Sequence, residues 1–390
     1  MRLHTAGKAR NFGNPIVGKV TLDPLQAHER TDRVLICSSA IADTDLKGYA
    51  AIVSTDDLAG CTIQVPIVHS VRETEHLLSD YVVAIEANGF IRTLFRPESP
   101  HNNVFVTERC NSNCLMCSQP PIDEDDTDPL TERNLKMIDL IARAPDYLCI
   151  TGGEPTLLGR RLLTIVERLR DKLPSTHLHM LTNGRRFAWQ DFTSDFASVR
   201  HPSLTLGIPV YSDDAGLHDY VVQAKGAFDQ TVMGLHQLAR NEVDVEIRVV
   251  LHALTVPRLV NLAEYVCRNL TFTQHVALMG MEPIGYAPRN MSELWIDPVD
   301  YQEQLERSVE TFARFGIEVR IYNLQLCVLR RSLWKYAKQS ISDWKNAYSE
   351  MCDACSARGD CGGFFHWNTK VQSRGIQPIR DYVAPNPRTT

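Results

Sequence analysis

The 390-residue chain has no run of about 18 apolar residues, the length that a membrane-spanning helix needs, so no membrane partner is expected. Its opening stretch, MRLHTAGKARNFGNP, lacks the apolar core of a secretory signal, which makes a cytoplasmic location the expectation. Basic residues are not in surplus. Lys and Arg number 41 against 47 Asp and Glu, a net charge of -6, and this gives no electrostatic case for a nucleic-acid partner. Internal repeats and low-complexity tracts are absent. Cysteine, by contrast, is plentiful at eleven residues, and in a reducing compartment these are not disulfides. The length predicts two or three domains, and the 44% hydrophobic content that of an ordinary globular protein.

Residues 1–100 read as a β-rich N-terminal domain. Val34-Leu35-Ile36 and Ala51-Ile52-Val53 are short apolar runs between turn residues, and Asn88-Gly89 between two alternating stretches predicts a hairpin over 81–96. PESPHNN, residues 97–103, reads as a linker. Beyond it strands and helices alternate. Strands are expected at 104–106, 147–151, 179–182, 203–210, 243–251 and 275–279. One intervening helix carries Leu162, Val166, Leu169 and Leu173 on a single face. Six such repeats predict an α/β core over residues 101–290, a parallel sheet closing toward a partial (β/α)6 TIM-like barrel. Residues 291–390 form a third region. A helix is expected over 297–315, a strand over 316–322, a further helix over 332–348 with Trp334, Tyr336 and Trp344, and a loose tail past Gln372. The acidic run DEDDTD, 123–128, reads as a solvated loop or as a contact for a basic substrate segment.

The cysteines sort by position. Cys37, Cys61, Cys149 and Cys267 are singles in apolar surroundings and read as small buried hydrophobes. Cys110, Cys114 and Cys117 lie in one loop, RCNSNCLMC, directly after the first core strand. A structural zinc site is normally closed by four ligands, and no fourth cysteine or histidine stands beside this triad. A 4Fe-4S cluster held by three thiolates keeps one iron open for a substrate or cofactor. Gly152-Gly153-Glu154-Pro155 follows the second strand and Thr182-Asn183-Gly184 the third. In parallel α/β folds the strand C-termini face one mouth, so all three motifs meet there.

These three motifs resemble the radical S-adenosylmethionine (SAM) superfamily, over about residues 101–290. The resemblance implies a 4Fe-4S cluster on Cys110, Cys114 and Cys117 whose open iron binds the amino and carboxylate groups of SAM. It implies that Gly152, Gly153 and Glu154, with Pro155 and with Asn183 of the third motif, line the SAM site, the first three meeting the amino group mainly through backbone carbonyls. Ser212 and Arg248 would address the ribose and carboxylate. GMEPIGY (Gly280 to Tyr286), with Ile284, would pass under the adenine. Met116 stands where many members carry an aromatic and keeps an adenine-packing role. The implied chemistry is reductive cleavage of SAM by an electron from an external donor, then hydrogen abstraction from an unactivated C–H bond.

Cys352-x2-Cys355-x5-Cys361-Gly362-Gly363, with Cys327 upstream, resembles the C-terminal part of SPASM domains. Four cysteines rather than about seven fit the single-cluster twitch version, implying one auxiliary 4Fe-4S cluster. A zinc knuckle is the other reading of this spacing. The wording from Arg109 to Pro121, RCNSNCLMCSQPP, with LFRPESPHN before it, resembles the HxsC-type radical SAM maturase of the His-Xaa-Ser system. That resemblance implies a ribosomally made peptide as substrate, oxidised or cross-linked at His or Ser positions, and a second radical SAM protein as partner. Two alternatives stand beside it: a twitch-type dehydrogenase of a small alcohol or modified nucleoside, and a non-catalytic scaffold bearing a cluster or zinc.

Overall fold

The structure, a computed structural model, describes residues 3–37, 46–59, 63–340, 345–366 and 372–384. The chain divides into two compact units. One contains Met1–Phe105, Thr127–Cys149 and Thr164–Thr176, the other Val106–Asp126, Ile150–Leu163 and His177–Thr390. Among the described residues no helix is long and apolar enough to cross a membrane.

The first unit is built on an eight-stranded sheet: β1 (His4–Ala6), β2 (Lys8–Arg10), β3 (Ile16–Thr21), β4 (Arg33–Cys37), β5 (Ala51–Ser54), β6 (Ile67–His69), β7 (Val82–Ile85) and β8 (Phe90–Phe95). The spatial order is β1-β8-β7-β3-β4-β5-β6-β2. The expected hairpin is there: β7 and β8 pair antiparallel, and Gly89 takes the turn at φ +85°. Any side chain at Gly89 would meet the Gly7 carbonyl at 2.3 Å. β3 to β6 pair in parallel, and side chains alternate between two buried faces. Val34, Val53 and Val68 fill one, while Leu35, Ile52 and Ile67 fill the other. The helix α1 (Thr127–Leu140) packs on β3 and β7. The short strand β9 (Asn103–Phe105) also lies in this unit, and Asn134 of α1 holds its Phe105 carbonyl at 2.7 Å.

The strand β10 (Tyr147–Thr151) and the helix α2 (Arg160–Lys172) run through the division between the units. The second unit has a parallel sheet of β11 (His177–Leu181), β12 (Leu204–Pro209), β13 (Asp244–Leu251), β14 (His275–Gly280) and β15 (Glu318–Tyr322), each paired with the next. Helices α3 (Gln190–Ser198), α4 (Ala215–Val222), α5 (Ala227–Arg240), α6 (Leu259–Asn269), α7 (Met291–Leu294) and α8 (Gln302–Arg314) connect them. This is an α/β fold with sheet order following sequence order. β15, from the last hundred residues, extends the same sheet.

The helix expected over 332–348 is not formed as such. Residues 341–344, including Trp344, lie outside the described residues, and Arg331–Tyr336 is a 3-10 turn. Trp334 donates its indole N–H to the Leu326 and Leu329 carbonyls at 2.9 and 3.2 Å, so its spacing reflects folding back onto the preceding turn. Cys149 and Cys267 are buried and Cys37 half-buried, while Cys61 lies outside the described residues.

Candidate cofactor site and the C-terminal cysteine cavity

The cysteine loop is held mostly by backbone bonds. Gly153 N–H donates to the Thr107 carbonyl at 2.6 Å and Glu154 N–H to that of Arg109 at 2.7 Å. A Cβ on Gly153 would stand 2.0 Å from the Arg109 oxygen, and one on Gly152 2.6 Å from that of Thr107. Only glycine permits this approach. On the other side Asn113 and Leu115 donate to the Val222 and Val221 carbonyls at the end of α4, and Tyr286 N–H donates to Cys117 at 2.8 Å. Gly285, at φ +62°, lies so close that a Cβ would meet the Cys117 carbonyl at 2.1 Å. Asp126, the fourth residue of the acidic run, accepts from the Thr107 hydroxyl at 2.7 Å and the Glu108 amide at 2.6 Å. It therefore pins the entry to the loop.

Glu154 is fully buried and its carboxylate is spent inside the protein. One oxygen accepts from the Thr156 amide and hydroxyl and from the Thr182 hydroxyl at 2.7 Å, and the other from the Asn183 amide at 2.6 Å. The second and third motifs are thus tied together, and the Glu154 carbonyl accepts from the Leu157 amide at 3.1 Å. Pro155 begins the turn that follows. The Asn183 side chain donates to Asn111 at 2.6 Å, inside the cysteine loop. Sequence reasoning missed Arg185. Its guanidinium donates to the Asn111 carbonyl at 2.5 Å, to the Ser112 hydroxyl at 3.2 Å and to Gln230 at 2.7 Å. An arginine directly after Thr-Asn-Gly was the signal available.

Burial pushes the Cys110 thiol up to about 11, with the Glu154 charge adding to it. Burial also raises Cys114, further, and Cys117. Thiols so placed ionise when a metal takes the place of the proton. Among the described residues no group of three His, Cys, Asp or Glu side chains is arranged to hold one metal ion. Cys110 and Cys117 lie near enough for their charges to add to the rise at Cys114, and three thiols so grouped are a donor set that fits a cluster.

The remaining candidates lie around this loop with partners of their own. Met116 is buried in an apolar cluster with Tyr211, Val221 and Leu294. Ile284, half-buried, accepts from Ala287 in the turn beside Gly285. Ser212 is fully buried and its hydroxyl accepts from Asp214 N–H at 3.0 Å. Arg248 is ion-paired to Glu246 at 2.6 Å, and its other terminal nitrogen approaches the Met279 sulfur at 2.9 Å. Burial pushes the Glu246 carboxyl up. Hydrogen bonds from His179 and His275, with the Arg248 charge, outweigh it and hold the group well below the carboxylate range. Gly207 makes room, since a Cβ there would stand 2.9 Å from Arg248 and 3.0 Å from His179.

Residues 104–266 match the model of the Radical SAM superfamily. The matched stretch contains the cysteine loop, the Gly-Gly-Glu-Pro turn and the Thr-Asn-Gly turn, and proteins of that superfamily employ a 4Fe-4S cluster and SAM. No curated protein matches the chain. Among solved structures, Streptococcus suis SuiB bound to S-adenosylmethionine is similar at 12% identity and TM-score 0.46, over 66% of this chain and 56% of that one. The enzyme anSMEcpe with bound AdoMet and Cp18Cys peptide is similar at 17% identity and TM-score 0.42, over 56% of this chain and 62% of that one. The coproporphyrinogen III oxidase HemN of Escherichia coli gives 16% identity and TM-score 0.42, over 57% and 54%. This chain therefore spans little more than half the length of SuiB.

Beyond the matched residues, Cys327, Cys352, Cys355 and Cys361 line one cavity. Cys352, Cys355 and Cys361 lie within ten positions, and Cys327 comes from a separate upstream turn. Backbone amides point at their sulfurs: Leu326 N–H donates to Cys361 at 3.4 Å and Ile379 N–H to Cys355 at 3.3 Å, while the Ser349 hydroxyl lies 3.5 Å from Cys352. Amides aimed at sulfur stabilise thiolates.

Proposed function

We propose that this enzyme modifies a ribosomally made peptide, oxidising or cross-linking it at His-Xaa-Ser type positions, as an HxsC-type maturase. The observation that carries the reading is the pair of cysteine sets: a three-thiol loop without a fourth ligand, and a four-thiol cavity with one. Cys110, Cys114 and Cys117 hold the catalytic 4Fe-4S cluster. Met116, Gly152, Gly153, Glu154, Pro155, Asn183, Ser212, Arg248 and Ile284 surround SAM. When bound, cluster and SAM together supply reductive cleavage and hydrogen abstraction. The chain's own part is to keep one iron open, to orient SAM through the glycine backbone, and to exclude water.

Cys327, Cys352, Cys355 and Cys361 hold an auxiliary 4Fe-4S cluster closed by four thiolates. A closed cluster takes electrons rather than substrate, which suits a reaction whose substrate must lose an electron. The domain division on this reading is 1–100, 101–290 and 291–390, with the sheet curving as a partial (β/α)6 barrel, a twitch/SPASM-like third domain, and a first domain that docks substrate or partner. An external electron donor and a second radical SAM protein are its partners, in the reducing cytoplasm that such clusters require. The test is anaerobic incubation of the reconstituted enzyme with SAM, dithionite and a His-Xaa-Ser peptide. Formation of 5'-deoxyadenosine with a mass loss on the peptide is expected. Deoxyadenosine with an unchanged peptide would refute the substrate.

A further inference from the structure

A second cavity, open to solvent, lies at the C-terminal ends of the last three strands. Leu251 of β13, Gly280 of β14 and Asn323, just past β15, form its floor. It touches both cysteine regions. Met281 and Leu294 of its wall belong to the apolar cluster that Cys114 and Met116 also enter. Gln325 and Phe364 line this cavity and the four-cysteine cavity alike. Its wall thus shares residues with the four-cysteine cavity and with the apolar cluster beside the cysteine loop.

Its wall is aromatic and uncharged. Trp295, Tyr301, Phe364 and Phe365 contribute rings, and no charged residue lines it among the described residues. The charges behind the wall are already paired. Lys345, over the Phe365 ring, is bonded to Glu282 at 2.6 Å, and Asp297 accepts from Ser373 at 2.5 Å and the Arg374 amide at 2.9 Å. The Gln325 amide is spent on the Gly363 carbonyl at 2.7 Å. The Asn323 amide N–H donates to the Gly280 carbonyl at 3.4 Å, which leaves the Asn323 side-chain oxygen, the Trp295 indole, the Tyr301 hydroxyl and the Gln372 amide as hydrogen-bonding groups on the wall. An incoming carboxylate or ammonium would be desolvated without a counter-charge. A ring stacks on the aromatic wall and meets one of those polar groups with its own polar atom.

We propose that this cavity seats an uncharged aromatic side chain with a hydrogen-bonding ring substituent or ring atom, imidazole or phenol, of the peptide to be modified. The proposal rests on the peptide reading above and names the side chain that reading must present. Acetylated seven-residue glycine peptides, with His, Tyr, Asp or Lys at the centre, are titrated calorimetrically into the reconstituted full-length enzyme at pH 8. The His and Tyr peptides should bind about tenfold or more tighter than the Asp and Lys peptides. Asn323→Asp, nearly isosteric and tolerant of the φ of +61° there, should move the preference toward the Lys peptide by a similar factor. Equal affinities for all four peptides, no binding by any of them, or an unmoved preference in Asn323→Asp would overturn the proposal. Deoxyadenosine and peptide mass are read in parallel on a His-Xaa-Ser peptide. Selective binding with an unmodified peptide would sustain the cavity and fail the maturase reading. Modification without selection would do the reverse.

Discussion

The two cysteine sets are built in opposite ways. The first is continuous: three cysteines within eight positions, fixed by backbone bonds and by two glycines that let neighbouring chain come within a Cβ of the loop. The second has three cysteines within ten positions and a fourth, Cys327, from a separate segment, around a cavity with amides and a hydroxyl directed at the sulfurs. On the proposed reading the local loop leaves one coordination place open, while the separate segment supplies the fourth thiolate that closes the other cluster.

Breaking each set in turn gives the largest contrast. Cys114→Ala should reduce deoxyadenosine formation to background. Cys352→Ala with Cys355→Ala should keep deoxyadenosine while abolishing modified peptide, because the substrate's electron has no acceptor. Chromatography and mass spectrometry on both variants read the two effects. Full product from the double variant would leave the second set a structural role only.

Gly153→Ala sharpens the same comparison from the backbone side. The added methyl collides with the Arg109 carbonyl at 2.0 Å, and backbone cannot swing aside as a side chain can. Overpacking of this kind typically costs about 1–3 kcal/mol. Iron per chain should fall by roughly half, the loss confined to the first set, with a lower melting temperature. Unchanged iron content would show that the loop tolerates displacement.

A smaller effect concerns histidines near the first set. Burial lowers His252 to about 4, and lowers His218 likewise to about 4, with Asp219 opposing and Arg185 assisting in the second case. Both rings accept backbone N–H bonds, from Leu254 and Tyr211, through Nδ1. The unfolded chain therefore binds protons first. The stabilisation is complete above the ordinary value near 6.5 and is lost as pH falls toward 4. By pH 5 each should have cost about 2 kcal/mol. Urea midpoints at pH 7 and pH 5 measure the sum, and His252→Gln should flatten part of the slope. Equal midpoints would contradict the burial account.

Much of the second unit was legible in the sequence because its signals are local. Runs such as VEIRVVL declare a buried strand, and a glycine pair after a strand declares a tight turn. The motifs also stand at the strand ends that a parallel sheet brings together. What escaped was long-range. Nothing near Arg248 in sequence shows that Glu246 is shared with His275 of the adjacent strand and with His179 from two strands away, across Gly207. Asp126 looked like one of several solvated acids, and only the fold brings Thr107 and Glu108 to it. The helix α4 was unread because AGLHDYVV is too short to show a period. The aromatics after Ser332 mimicked a helical face while Trp334 in fact reaches back to Leu326.

The central claim is that the two sets hold two 4Fe-4S clusters of different openness, and metal content with Mössbauer spectroscopy tests it most directly. Anaerobically reconstituted enzyme should contain about eight irons per chain, and adding SAM should perturb one iron site of a single cluster. About four irons, with zinc making up the difference, or no site changed by SAM, would contradict it.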